Sequence, residues 1–195
     1  MSIARRTKEP VSMGQRYQRM NEKHIEFIRT RNIYFVATAA AEGRVNLSPK
    51  GMDSLRVLSP ERVAWLNVTG SGNETAAHVR LNPRMTLMFC AFEGSPLILR
   101  LYGTARTIHR TDSEWADMSA LFPPIPGARQ IFEMQVDLVQ TSCGMSVPYF
   151  EYTGERTQLN DWAEKKGDDG LNQYWNDKNR RSIDGFETGI PVEPA

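Results

Sequence analysis

The chain has 195 residues, with 24 basic against 23 acidic side chains, a formal net charge of +1 and two cysteines. That balance excludes a mainly electrostatic partner such as nucleic acid or a membrane surface, since those require a large basic excess. No apolar run reaches the roughly 18 residues of a spanning helix, and the stretch 1–19 lacks the apolar core of a secretory signal. Two cysteines cannot form a disulfide framework, so a reducing cytoplasm is the expected compartment. The length suggests one domain with an extension, at roughly 150 residues per domain.

The first periodic segment is Arg16 to Arg31, where Met20, His24, Phe27 and Ile28 recur at helical spacing between charged residues. This predicts an amphipathic helix. The texture then becomes β-branched and aromatic over Ile33 to Thr38, and Glu42-Gly43 follows as a turn. Strand-like runs continue at Val45 to Ser48, Leu55 to Leu58, Val63 to Val68 and Met85 to Phe92. Glu93-Gly94-Ser95-Pro96 reads as a hairpin into Leu97 to His109. The clearest strand is the last, where Phe132, Met134, Val136 and Leu138 alternate with polar residues.

Short helices are predicted over Asn73 to Leu81 and Thr111 to Leu121, the latter opening on an N-cap signal, Thr-Asp-Ser-Glu. Two more, Thr157 to Lys166 and Leu171 to Lys178, bury Trp162, Tyr174 and Trp175, and an extended end runs from Gly189 to Ala195. Short strands with brief helices predict a mainly β, α+β fold, an antiparallel Greek-key barrel of six or seven strands, closed on itself. Crossover helices are too few for a doubly wound parallel sheet.

Three places can carry chemistry. In Trp65 to His78 a strand runs into Gly70-Ser71-Gly72 and a helix starts just after, so backbone N–H groups there can hold an anion. The ordinary reading of Ser71-Gly72-Asn73-Glu74 is a capping box, and Glu74 itself repels a phosphate. In Val45 to Gly51, Ser48 and Lys50 stand on a strand end, where the ordinary reading of Lys50 is a solvated hairpin lysine. Arg100, alone in an apolar strand, is expected to face solvent or a subunit partner, because an unpaired buried charge is costly. His24, His78 and His109 share no ligand spacing with the cysteines, so no metal site is expected. Cys90 reads as core and Cys143 as a turn thiol with no base beside it.

Taken together, Val45-Asn-Leu-Ser-Pro-Lys-Gly51, Thr69-Gly-Ser-Gly-Asn-Glu-Thr-Ala76, Asn82-Pro-Arg-Met-Thr-Leu-Met-Phe89 and Leu97-Ile-Leu-Arg-Leu-Tyr-Gly103 resemble the pyridoxamine 5′-phosphate oxidase-like family of flavin-binding split barrels. The resemblance spans residues 20 to 142. It implies a split barrel over residues 1–142, a C-terminal helical extension over 143–195, and a homodimer holding flavin mononucleotide (FMN) in clefts between subunits. It further implies cofactor contacts from Ser48 and Lys50 on the first strand end and from Val68 and Thr69 on the next. Asn73, Glu74 and Thr75 at the helix start would contact the phosphate.

This sequence departs from the family's oxidases in two places. It carries Asn73-Glu-Thr75 where they have Ser-Arg-Lys, and it lacks their C-terminal tryptophan-arginine segment. The expectation is an FMN-dependent oxidoreductase of unknown substrate, with no side chain marked as catalytic. Its rivals are a deazaflavin-dependent reductase and a non-catalytic protein binding FMN or pyridoxal phosphate. A fold-level likeness does not transfer a reaction.

Overall fold

The computed structural model describes residues 14–191. The first thirteen residues of the stretch 1–19 read for a secretory signal and the last four residues of the extended end lie outside them. Eight strands and four helices follow one another. The strands are β1 (Arg16–Tyr17), β2 (Tyr34–Thr38), β3 (Asn46–Lys50), β4 (Leu55–Ser59), β5 (Arg62–Val68), β6 (Arg84–Cys90), β7 (Ile98–His109) and β8 (Ala128–Ser142). The helices are α1 (Glu22–Arg29), α2 (Glu74–Leu81), α3 (Trp115–Ser119) and α4 (Gln158–Lys178).

Every ladder is antiparallel, in the order β3-β2-β6-β7-β8-β5-β4, with β1 added to β8. The mainly β architecture with short flanking helices is the one expected. Closure is not: among the described residues β3 and β4 share no ladder, so the sheet stays open between them. The barrel is split at that seam, next to the strand end that carries Lys50.

The predicted helix at 16–31 is shorter than its period suggests. Arg16 and Tyr17 pair with Gln140 and Val139 on β8, and α1 starts only at Glu22. Asn21 caps it: its carboxamide accepts from the His24 N–H at 2.9 Å, and the Asn21 N–H donates to the His24 ring. The 157–178 region breaks where expected, at Gly167, whose φ of 64° is left-handed and non-helical.

The main core lies inside the curled sheet, where Val36, Leu87, Phe89, Leu99, Leu101, Phe132, Met134 and Val139 pack around Trp65. Trp65 stacks on Phe132 with centroids 4.6 Å apart. The inward face of β8 passes from Phe132, Met134 and Val136 to Val139, because a bulge opposite Tyr102 and Gly103 skips Asp137. Gly103 is required there: a Cβ on it would stand 1.9 Å from the Gln135 carbonyl oxygen. A second cluster, with Ile108, Ile131 and Phe122, fills the space near α3, and a third seats α4 through Leu171 and Trp175.

Candidate functional site

A cleft of about 760 Å³ opens where β3, the β5–α2 junction and the end of α4 meet. Ser48, Lys50, Val68, Thr69, Asn73, Glu74 and Thr75 all line it, so the fold brings the residues expected to contact a cofactor to one place, while Arg100 lies outside it. Their chemistry differs from the linear reading at several points.

Lys50 is not a solvated hairpin lysine. Its ammonium lies 5.2 Å from the centroid of the Trp65 ring, and burial, with Arg129 nearby, lowers its pKa to about 8. Thr69, 1% exposed, uses its hydroxyl internally: it donates to Gly127 O at 2.7 Å and accepts from Trp175 Nε1 at 2.8 Å. Thr75 Oγ1 accepts from Asn46 Nδ2 at 3.2 Å. Asn73 is 2% exposed, and its side-chain oxygen has no partner, leaving an open acceptor at the helix start.

The Ser71–Glu74 capping box does not form. The cap position of α2 is Asn73, with no side-chain cap bond. The Glu74 carboxylate instead accepts from the Ile183 N–H at 3.0 and 3.1 Å. It thereby fastens the segment after α4, which Asp184 also ties to the backbone N–H of Arg44 at 2.7 Å. The N-cap signal at 111–114 likewise does other work. Asp112 Oδ2 accepts from the His109 N–H, and Glu114 pairs with Arg106 at 2.6 Å. Arg100 is half-buried and donates to Ser142 Oγ at 3.0 Å. Cys90 is buried, Cys143 exposed, and both are free.

The residue that sequence reasoning missed is Arg129. It stands on β8 beside the β5 end, is 4% exposed and lines the cleft. Nη1 donates to Asn179 Oδ1 at 2.5 Å and Nη2 to Gly72 O at 2.8 Å. With the Asn67 amide turned to satisfy both neighbours, its oxygen accepts from Arg129 Nε at 3.2 Å. All these partners are neutral, and among the described residues Arg129 has no ion pair. Burial pushes its pKa down to about 10, which leaves it charged at neutral pH.

A buried cation without a carboxylate is costly unless an anion completes it. Lys50 and Arg129 converge on one cleft, Lys178 and Arg181 also line it, and the acid in its wall, Glu74, is hydrogen-bonded to the Ile183 N–H. No signal in the run Ala128-Arg-Gln-Ile marks Arg129, which reaches the site only through the β5–β8 register. No cluster of metal-ligating side chains exists among the described residues, and none of the described helices is long and apolar enough to cross a membrane.

An open antiparallel barrel with a cleft lined by cations at its seam defines a split-barrel protein. The sequence profile of the pyridoxamine 5′-phosphate oxidase family matches residues 20–143, and the chain belongs to that family. It is 34% identical over 188 residues to the pyridoxamine 5′-phosphate oxidase family protein ustO of Aspergillus flavus, across 87% of this chain and 76% of that relative. Among solved structures it resembles a candidate pyridoxamine 5′-phosphate oxidase from Lactobacillus delbrueckii, with a TM-score of 0.51 and 21% identity over 63% of this chain and 94% of the other. It also resembles an FAD-binding protein from Mycobacterium smegmatis, with a TM-score of 0.45 and 11% identity over 64% and 96% of the two chains. The likeness to the Lactobacillus structure speaks to the fold alone.

Proposed function

We propose that the cleft binds FMN and that the protein is a flavin-dependent oxidoreductase acting as a homodimer. The observation that carries this reading is Arg129, a buried cation with only neutral partners, facing the cleft beside Lys50. It offers the charge that Asn73-Glu-Thr75 lacks relative to the family's oxidases. The residues present fit the cofactor: the cations and the free N–H groups at the start of α2 suit a phosphate. The unpartnered oxygen of Asn73 suits a hydroxyl-bearing chain.

Bound flavin would supply the redox chemistry, while the protein orients it and limits water access. Lys50, Arg129 and α2 hold the anionic end. The clamp from Thr69 to Trp175 keeps the β5 strand end fixed, so a flat ring laid against Val68 meets a rigid wall. Exposed Val45, Leu47, Tyr149 and Phe150 give the surface an apolar content suited to a second copy of the chain.

The test is spectroscopic. Purified protein mixed with FMN and then desalted is expected to keep a bound flavin absorption band, and light scattering is expected to give the mass of a dimer. A protein that returns colourless from this treatment contradicts the reading.

A further inference from the structure

A second arm of about 750 Å³ adjoins the proposed flavin cleft. The two clefts share Gly51, Met52 and Ser54 in their walls, so a single turn borders both. That turn is held in place: Ser54 Oγ donates to Gly51 O at 2.6 Å, which leaves the Tyr34 hydroxyl to donate to Ser54 Oγ at 2.9 Å. Met52 and Asp53 have φ of 65° and 51°, left-handed values that non-glycine side chains adopt only where their surroundings impose them.

Charge in this arm is unbalanced. Arg29, Arg31, Arg56 and Arg156 line it against Asp53 and Glu155. Arg56 and Asp53 satisfy each other at 2.8 Å, and Glu155 accepts from the Tyr152 hydroxyl at 3.0 Å. Arg29, Arg31 and Arg156 form no ion pair among the described residues. Arg31 is half-buried over the Phe27 ring, 4.8 Å from its centroid. It donates once, from Nη2 to Thr30 Oγ1, and its Nε has no partner. The arm thus presents unpaired guanidinium groups, whose planar fork matches two oxygens of an oxyanion.

We infer that this arm receives the oxyanion end, carboxylate or phosphate, of the enzyme's organic substrate, with Arg31 and Arg156 as its binding cations. As a statement about a substrate it rests on the flavin reading, because the shared turn is what would bring the far end of that substrate to the cofactor.

Calorimetric titration with benzoate, phenyl phosphate and neutral benzamide tests the inference on protein with and without FMN. The two anions are expected to bind and benzamide is not, and the tighter anion identifies the oxyanion. Arg156→Gln, at an exposed position, should weaken anion binding roughly tenfold. Arg31→Gln should do the same, while Arg31→Lys keeps much of the affinity by keeping the charge. Benzamide binding as well as benzoate, or wild-type anion affinity in both glutamine variants, overturns the inference. Arginine-dependent anion binding by a protein that takes up no FMN overturns the flavin reading but leaves the oxyanion site. FMN uptake without anion binding overturns the site and leaves the flavin.

Discussion

Asn179 Oδ1 accepts a hydrogen bond from Arg129 Nη1 at 2.5 Å, while its Nδ2 donates to Gly70 O at 3.1 Å. One fully buried carboxamide at the end of α4 therefore holds both the buried cation and the loop that leads into α2. The Asn179 backbone carbonyl accepts from Thr188 Oγ1 at 2.7 Å, which ties in the segment beyond. The C-terminal extension is part of the site's frame.

Asn179→Ala removes an acceptor from a charged donor and leaves the Gly70 carbonyl without this partner. It should destabilise the fold by about 1–3 kcal/mol, the usual cost of orphaning such groups. Urea unfolding of flavin-free protein checks this. FMN should also dissociate faster from the variant, as followed by recovery of free-flavin fluorescence.

Arg129→Gln separates charge from shape. If Arg129 meets the phosphate, FMN affinity falls by roughly 1.5–3 kcal/mol, the range for hydrogen bonds to charged groups. Riboflavin, which lacks the phosphate, should bind wild type and variant alike. Equal losses for both ligands would mean that the substitution collapses the cleft, and would remove Arg129 from the phosphate.

The contrast between Lys50 and Arg129 shows what was legible in the sequence. β2 to β8 were readable because alternation and turn residues are local, and Lys50 was readable because it sits in a motif. The environment of Lys50 was not, since the Trp65 ring faces it only once β5 and β3 are folded around the core. Arg129 meets Gly72 and Asn179 across 57 and 50 residues of chain, and Glu74 meets Ile183 across 109. Such contacts leave no periodic trace. The same limit turned the helix-start signal at 71–74 into a long-range anchor, because the Glu74 carboxylate takes a partner that only the fold supplies, whereas the acids at 111–114 pair locally with His109 and Arg106.

Lys50 gives a pH dependence. Burial lowers its folded pKa to about 8, so its charge is present at pH 7 and lost as pH rises through that value. FMN affinity should fall between pH 7 and 9, with proton uptake on binding near pH 8; riboflavin affinity should stay flat. In the flavin-free protein the unfolded lysine binds more protons than the folded one between about 8 and its ordinary 10.5, so this residue's contribution makes stability rise with pH in that window. Lys50→Met should abolish the FMN pH slope. Titrations in matched buffers decide it, and an unchanged slope in the variant would assign the proton to another group.

Glu74→Ala should free the segment after α4. The Ile183 amide loses its acceptor, so its hydrogen exchange should accelerate while amides in β7 and β8 keep their protection. Removing a negative charge from the first turn should also raise FMN affinity by about 0.3–1 kcal/mol. Unaltered exchange at Ile183 would show that the segment is held by Asp184 and Arg44 alone.

The central claim is that a cation pair, Lys50 with Arg129, makes this cleft a site for a phosphate-bearing flavin. Its most direct measurement is the affinity of wild-type protein for FMN beside riboflavin, by quenching of flavin fluorescence at neutral pH. The account predicts that FMN binds at least tenfold more tightly, as expected for one charge-assisted contact of about 1.5 kcal/mol or more. Equal affinities, or no binding of either, would contradict it.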